Sequence, residues 1–403
     1  MRHSLQKTHR IFSVSLGILV LIIGISAAHC SAETEMIRHE IRTEIRWNSE
    51  DYIYDNYIIN GEPEPGVSAR LDREYLLVTS SYAFFFTPVT ENEEIPITLR
   101  RFYDHPTTFR IYFSLQPEAE STYVHQNREI NYRSSRFRDE RSRSAGLDVE
   151  YYPWDNTGLL FQLRSTKNEE DVRTSNTLNN RGVGENNEIR RYYGFGISQY
   201  LFTHLNIKLT YTAFDFEYAG TEKTWAENSP LLFTESGQEA DTDGQKILLA
   251  GEYILRKFLG IRGFYEFWDQ NSHSNILSSF YDNFPGLDSY YDTDTTNQTL
   301  GASISLYFNN KTTFRIGGSI AWQENEVVYE TDQIIEHDWN ITTVETEISH
   351  YVNRHIGVRM GYEFAKRDGD VLIWHPETES DPRTEYFAES DFHAVYVGLT
   401  GRF

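Results

Sequence analysis

Ile37-Arg38-His39-Glu40-Ile41-Arg42-Thr43-Glu44-Ile45-Arg46-Trp47 alternates without a break between a mostly apolar row and a row made only of charges. A period of two marks a β-strand with two unlike faces. One face carries Ile37, His39, Ile41, Thr43, Ile45 and Trp47, the other Arg38, Glu40, Arg42, Glu44 and Arg46. A single strand of this kind suits a soluble sandwich as well as a membrane barrel. Its recurrence to the end of the chain separates the two.

Apolar rows follow at Leu147, Val149, Tyr151; Leu159, Phe161, Leu163; Tyr193, Phe195, Ile197; and Leu205, Ile207, Leu209, Tyr211. Others run through Ile247, Leu249, Tyr253; Ile261, Tyr265, Phe267; Leu300, Ile304, Leu306; Phe314, Ile316, Ile320, Trp322; and Val358, Met360, Tyr362, Phe364. The opposite parity holds Asp148, Glu150, Arg164, Lys208, Lys246, Glu252, Arg262, Glu266, Arg315, Arg359, Glu363 and Arg367. Tight turns at 153–156, 256–258, 309–311 and 353–355 alternate with long polar stretches at 48–72, 168–189, 218–243, 271–295, 325–338 and 367–389. Short turns at one rim and long loops at the other are the layout of an antiparallel transmembrane β-barrel. The expected fold is therefore all-β, with about 14 strands and 12 to 16 admissible. The segment 88–106, with prolines flanking Leu99-Arg100-Arg101-Phe102-Tyr103, reads as a periplasmic helical turn or a short strand.

Composition agrees. Aromatics make up 15% of the chain, the residue class favoured on pleated surfaces and at membrane–water interfaces. A mean hydropathy of -0.55 excludes a bundle of membrane helices but not a barrel, which spends only alternate residues on lipid. The net charge of -23 argues against nucleic-acid binding. Arg2, Lys7 and Arg10, an apolar stretch from Ile11 to Ala28 and small residues up to Ala32 make residues 1–32 an expected signal peptide, with a membrane anchor as the other reading. Cys30 is preceded by His29, which disfavours a lipid-modified terminus; with that segment removed no cysteine remains for a disulfide. Residues 33–403 form the barrel in this reading.

The ending Tyr396-Val397-Gly398-Leu399-Thr400-Gly401-Arg402-Phe403 resembles the C-terminal assembly signal of the porin-like outer-membrane barrels of Gram-negative bacteria. Phe403, Gly398 and Leu399 match the pattern, whereas Gly401 stands where an apolar residue is usual. The resemblance implies residence in the outer membrane, recognition by the barrel assembly machinery, and a periplasmic C-terminus with the long loops outside.

Fourteen strands enclose a lumen too wide for side chains alone. Candidate lumen-lining residues are Arg38, Glu40, Arg42, Glu44, Arg46, Arg164, Lys208, Glu252, Arg262, Glu266, Arg315, Arg359 and Glu363. Their charges nearly balance, so the excess acid falls to the loops, including Glu324, Glu326, Glu336, Asp338, Asp368, Asp370 and Glu389. These loops suit divalent cations beside lipopolysaccharide. The expected function is a porin-like channel for passive diffusion of small hydrophilic solutes or ions, with no cofactor and no catalytic residue. The rivals are a barrel enzyme, drawing on Asn271-Ser272-His273-Ser274-Asn275 or on Asp391 and His393, and a barrel that exports a polymer.

Overall fold

The structure is a computed structural model describing residues 36–403, apart from 60–61, 64–66, 91–93, 128–131, 178–179, 227–228, 256, 281–286, 331–332 and 375–383. The expected signal peptide and Cys30 lie outside the described residues. Fourteen long antiparallel strands form the wall. They are β1 (Met36–Ile59), β2 (Val67–Thr90), β3 (Thr108–Asn127), β4 (Tyr132–Trp154), β5 (Thr157–Asn176), β6 (Asn180–Leu201) and β7 (Leu205–Ala226). The second half comprises β8 (Ser229–Leu255), β9 (Leu259–Phe280), β10 (Leu287–Tyr307), β11 (Thr312–Tyr329), β12 (Ile334–Tyr351), β13 (Ile356–Trp374) and β14 (Thr384–Arg402). Glu62–Pro63 adds a two-residue bridge to the end of β1. Each strand pairs with its sequence neighbours, and β14 returns to β1 from Glu40↔Arg402 to Ile59↔Thr384. Closure leaves no unpaired sheet edge, which a β-structure needs in order to stand in hydrocarbon.

Exposure sorts by parity. Phe195 is 59% exposed, Leu300 57% and Met360 53%, while the charged residues of the other parity point inward. Half-exposed large apolar side chains on strand after strand would be an aggregation surface in water; around a closed barrel they form the lipid-facing band. The chain is a closed transmembrane β-barrel.

Most of the expected long loops are strand. Residues 168–176 and 180–189 belong to β5 and β6, and 325–329 and 334–338 to β11 and β12. A 22-residue strand rises about 70 Å, or roughly 55 Å along the barrel axis at the usual tilt, against an apolar band about 25 Å tall. The walls therefore stand well clear of the membrane. On β8 the outward row runs Leu249, Ile247, then Gln245, Asp243, Asp241: the change from apolar to acidic marks the end of the lipid, not the end of the strand. Glu324, Glu326, Glu336, Asp338, Asp368, Asp370 and Glu389 accordingly sit on strands rather than in loops.

Register also corrects the first strand. The β1–β2 pairing slips between Ile37 and His39, and the amides of Arg38 and His39 both donate to the Phe403 carbonyl. The bulge reverses the parity of what precedes it. Ile37 turns inward, 2% exposed against Ala83, Phe85 and Val89, and Arg38 is left exposed at the rim, donating to the Phe86 carbonyl. Arg38 is thus not a lumen residue. His39 stacks on Phe403, ring centroids 5.1 Å apart, on the lipid side of the seam.

Lumen-facing aromatics lie flat across glycines of the next strand. A Cβ on Gly146 would collide with the Tyr112 ring, and one on Gly361 with Tyr396. Gly146→Ala should therefore destabilise the barrel by about 1–3 kcal/mol, the usual overpacking cost. Urea unfolding of the refolded protein measures it, and an unchanged midpoint would show that Tyr112 moves aside freely.

Candidate functional site

Five periplasmic connections are tight: Asp155–Asn156, Phe202–His204, the turn through Lys257, 308–311 and 352–355. Lys257 and Phe202 adopt positive φ, as such turns require. The connection from β2 to β3 differs. It makes a 3-10 turn (Ile97–Leu99) running into a short helix α1 (Arg100–Asp104), ended by His105 in the left-handed region. The helical reading of this segment therefore holds.

This segment crosses the periplasmic mouth. Ile97 N–H donates to the Asn310 carbonyl at 2.9 Å and Thr98 Oγ1 meets Thr313 Oγ1 at 3.0 Å, contacts to the β10–β11 hairpin on the far side of the barrel. His105 Nδ1 donates to the Asp155 carbonyl at 2.8 Å, and its ring stacks on Tyr200. Asp104 accepts from Thr90 N–H at 2.7 Å and fixes the near end. Beneath the segment Leu99 and Phe102 pack with Tyr200, Ile254 and Tyr307. The result is a lid on an apolar gasket. The two hydrophobic positions of the lid can reach that gasket only because the chain re-enters the barrel, so no local periodicity announces it.

Above the lid the lumen is charged. Arg42 Nε meets Glu40 Oε1 at 2.6 Å, Arg359 meets Glu44 at 2.5 Å, and Arg46 meets Glu363 at 3.1 Å. Gly398 has a purpose here: a Cβ at that position would press on the Arg359 side chain, which crosses β14 to reach Glu44 on β1. Farther round, Lys208 pairs with Glu150 at 2.9 Å, Lys246 with Glu266 at 2.7 Å and Arg315 with Glu345 at 3.1 Å. Arg262 stands opposite Glu252 in the β8–β9 register, and Arg164 lies over the Tyr192 ring. Arg367 sits higher, 4.0 Å over Trp339, beside an inner apolar cluster of Tyr52, Trp339, Val371 and Ala388. Leu399 is on the outward parity with Val397, opposite Thr43.

Sequence parity missed four charges that matter: Arg101, Arg110, Glu345 and Arg402. Arg110 and Asp148 face each other across the β3–β4 pair, and Arg402 bonds Glu40 at 2.7 Å with both side chains buried. Arg110 was legible in the alternation Phe109, Ile111, Phe113, Leu115 against Arg110, Tyr112, Ser114, as was Arg402 beside Phe403. Arg101, on the lid, and Glu345 behind Arg315 gave less signal. Burial, reinforced by the nearby Arg110, lowers Arg101 to about 10, with Glu40 opposing the shift; it remains cationic at neutral pH.

The enzyme rivals find a partial constellation. His273 Nδ1 bonds Asp292 Oδ1 at 2.6 Å on the outer face, but Ser272 bonds Thr242 and Ser274 is buried, both on the opposite parity. His393 Nδ1 and the Tyr362 hydroxyl share a hydrogen bond of 2.8 Å on the lipid-facing side.

No protein-family model matches the sequence, and no curated protein is found similar to it. Solved structures do match. A Pseudomonas aeruginosa FadL homologue superposes with a TM-score of 0.54 at 8% identity, over 90% of each chain. The Pseudomonas putida toluene transporter TodX follows with 0.51 at 9% identity, over 91% of this chain and 90% of that one. The shared property is the fold: a closed outer-membrane barrel.

Proposed function

We propose that this chain is a channel for passive diffusion of small hydrophilic solutes or ions across the outer membrane, kept narrow at its periplasmic end by the 94–107 lid. The charged lumen carries the reading. Apolar cargo would have to cross the layer of Arg42, Arg46, Arg359 and their carboxylates, giving back nothing for the hydration those groups lose. Water and polar solutes exchange with the same groups at little cost.

A hydrophobic cargo is the second reading. It draws on the lumen-facing rings of Tyr192, Phe214 and Phe216, which lie 5.0–5.9 Å apart, and on the similarity in fold to a toluene transporter. Liposome swelling with sugars and amino acids, set against toluene uptake in the same vesicles, separates the two. Toluene flux with no swelling would overturn the hydrophilic reading.

Arg359→Glu places a carboxylate beside Glu44 in the lumen. The reversal potential in a salt gradient is expected to move toward cations, and an unchanged value would mean that this layer lies off the ion path. The same reading makes the protein a transporter and not an enzyme. Its surroundings would be outer-membrane lipid and lipopolysaccharide, reached through the barrel assembly machinery. Acids above the apolar band, such as Glu118, Glu120 and Asp139 with oxygens within 4.8 Å of one another, suit divalent cations bridging to lipopolysaccharide phosphates.

A further inference from the structure

Positive charge in the lumen gathers at one place where one arginine has no carboxylate within ion-pair reach among the described residues. A cavity of about 190 Å³ is lined by Arg42, Arg110 and Arg359, with Glu44 and the hydroxyl-bearing Thr79 and Ser81. Arg42 and Arg359 have partners in Glu40 and Glu44. Arg110 makes no ion pair within 4.0 Å and no hydrogen bond among the described residues. Glu40, Asp148 and Glu150 attract it only from farther off, and Glu150 is already held by Lys208 at 2.9 Å and by the Tyr152 hydroxyl at 2.6 Å. Arg101 joins the group from the lid, its Nε buried with no hydrogen-bond partner. Glu40, the nearest common acid, is shared with Arg402.

Several guanidinium groups thus repel one another around a small, half-enclosed space in the lumen, where their charges are less screened than on the outer surface. Their planar N–H forks and two neighbouring hydroxyls are the donor set that recognises a carboxylate or phosphate oxygen. The volume excludes anything of drug size.

We propose that this cavity is a binding station for a small anion carrying a carboxylate or phosphate group on its way through the lumen. The proposal rests on the channel reading and names its solute class. It also sets the inside against the outside: a chain of net charge -23 would carry anions past an acidic outer wall because the arginine layer, not the total charge, decides at the narrow end.

The test titrates the refolded full-length protein in detergent, at low salt, with phosphate and separately with acetate, read by calorimetry. Saturable binding of either anion is expected, and which one binds assigns the head group. Arg110→Ala should weaken it at least about tenfold, the loss of one charged hydrogen-bond donor, while Arg110→Lys retains part of it. Arg141→Ala, which removes a cation paired with Asp171 on the outer face, should leave binding unchanged. No binding by the wild type, or an equal loss in the Arg141 variant, would overturn the station. Anion binding by a protein that never conducts in planar bilayers would keep the station and remove the channel. Conductance with cation preference and no anion binding would do the reverse.

Discussion

Phe102→Ala should raise the conductance of the refolded protein in planar bilayers by roughly two orders of magnitude, or until the lid is open most of the time. Phe102 is the main apolar contact of the lid, packed edge-on against Tyr200 at 5.2 Å and buried with Leu99, Ile254 and Tyr307. Truncating a buried Phe costs about 3–5 kcal/mol. The lid is a short connection held closed by Phe102, Leu99, the His105–Tyr200 stack and a few hydrogen bonds, so the loss falls on the closed state rather than on the barrel. A change of that size in a two-state equilibrium moves the open fraction by roughly two to three and a half decades before it saturates. Replacing residues 95–104 with a flexible Gly/Ser linker removes the barrier outright and sets the upper limit. Equal conductance in wild type, Phe102→Ala and the linker variant would mean that the lid does not limit flow.

Glu40→Ala should cost the barrel about 3–5 kcal/mol, because it strands a buried cation at the seam. Arg402 is 3% exposed, bonds Glu40 at 2.7 Å, donates to the Ile97 carbonyl at 3.1 Å and lies over the Tyr351 ring. The pair thus ties the last strand to the first and both to the lid. Without the carboxylate, Arg402 keeps its desolvation and loses its main compensation. Replacing both partners with apolar residues, Glu40→Leu with Arg402→Met, should recover most of the loss. Urea unfolding followed by tryptophan fluorescence compares the three; a single variant as stable as wild type would show that the strand ladder alone holds the seam closed.

The seam was half legible. Glu40 stood on the inward row, and Phe403 fixed the parity of the last strand, which puts Arg402 on the lumen side. That they meet depends on the barrel closing at the register Glu40↔Arg402, which no local pattern states. The acidic stretches read as polar loops in the sequence and are strand in the structure. The alternation continues through them, with charge replacing apolar residues on the outer face once the strand leaves the lipid. Arg38 was misassigned for a related reason: a bulge adds one residue and reverses every parity beyond it, and nothing in Ile37-Arg38-His39 marks it.

By itself, then, the sequence determined the membrane barrel, a strand count of about 14 and the polarity of its two faces. These follow from a period of two repeated down the chain, and each strand declares its own faces. Tertiary structure alone decided the lid, the sharing of carboxylates among arginines and the cavity they enclose. Leu99 and Phe102 meet Tyr200, Ile254 and Tyr307 only because a connection turns back into the mouth of a closed cylinder. Arg42, Arg110 and Arg359 share one space only because β1, β3 and β13 are curved round to face it. Periodicity reports which way a side chain points; closure decides what it finds there.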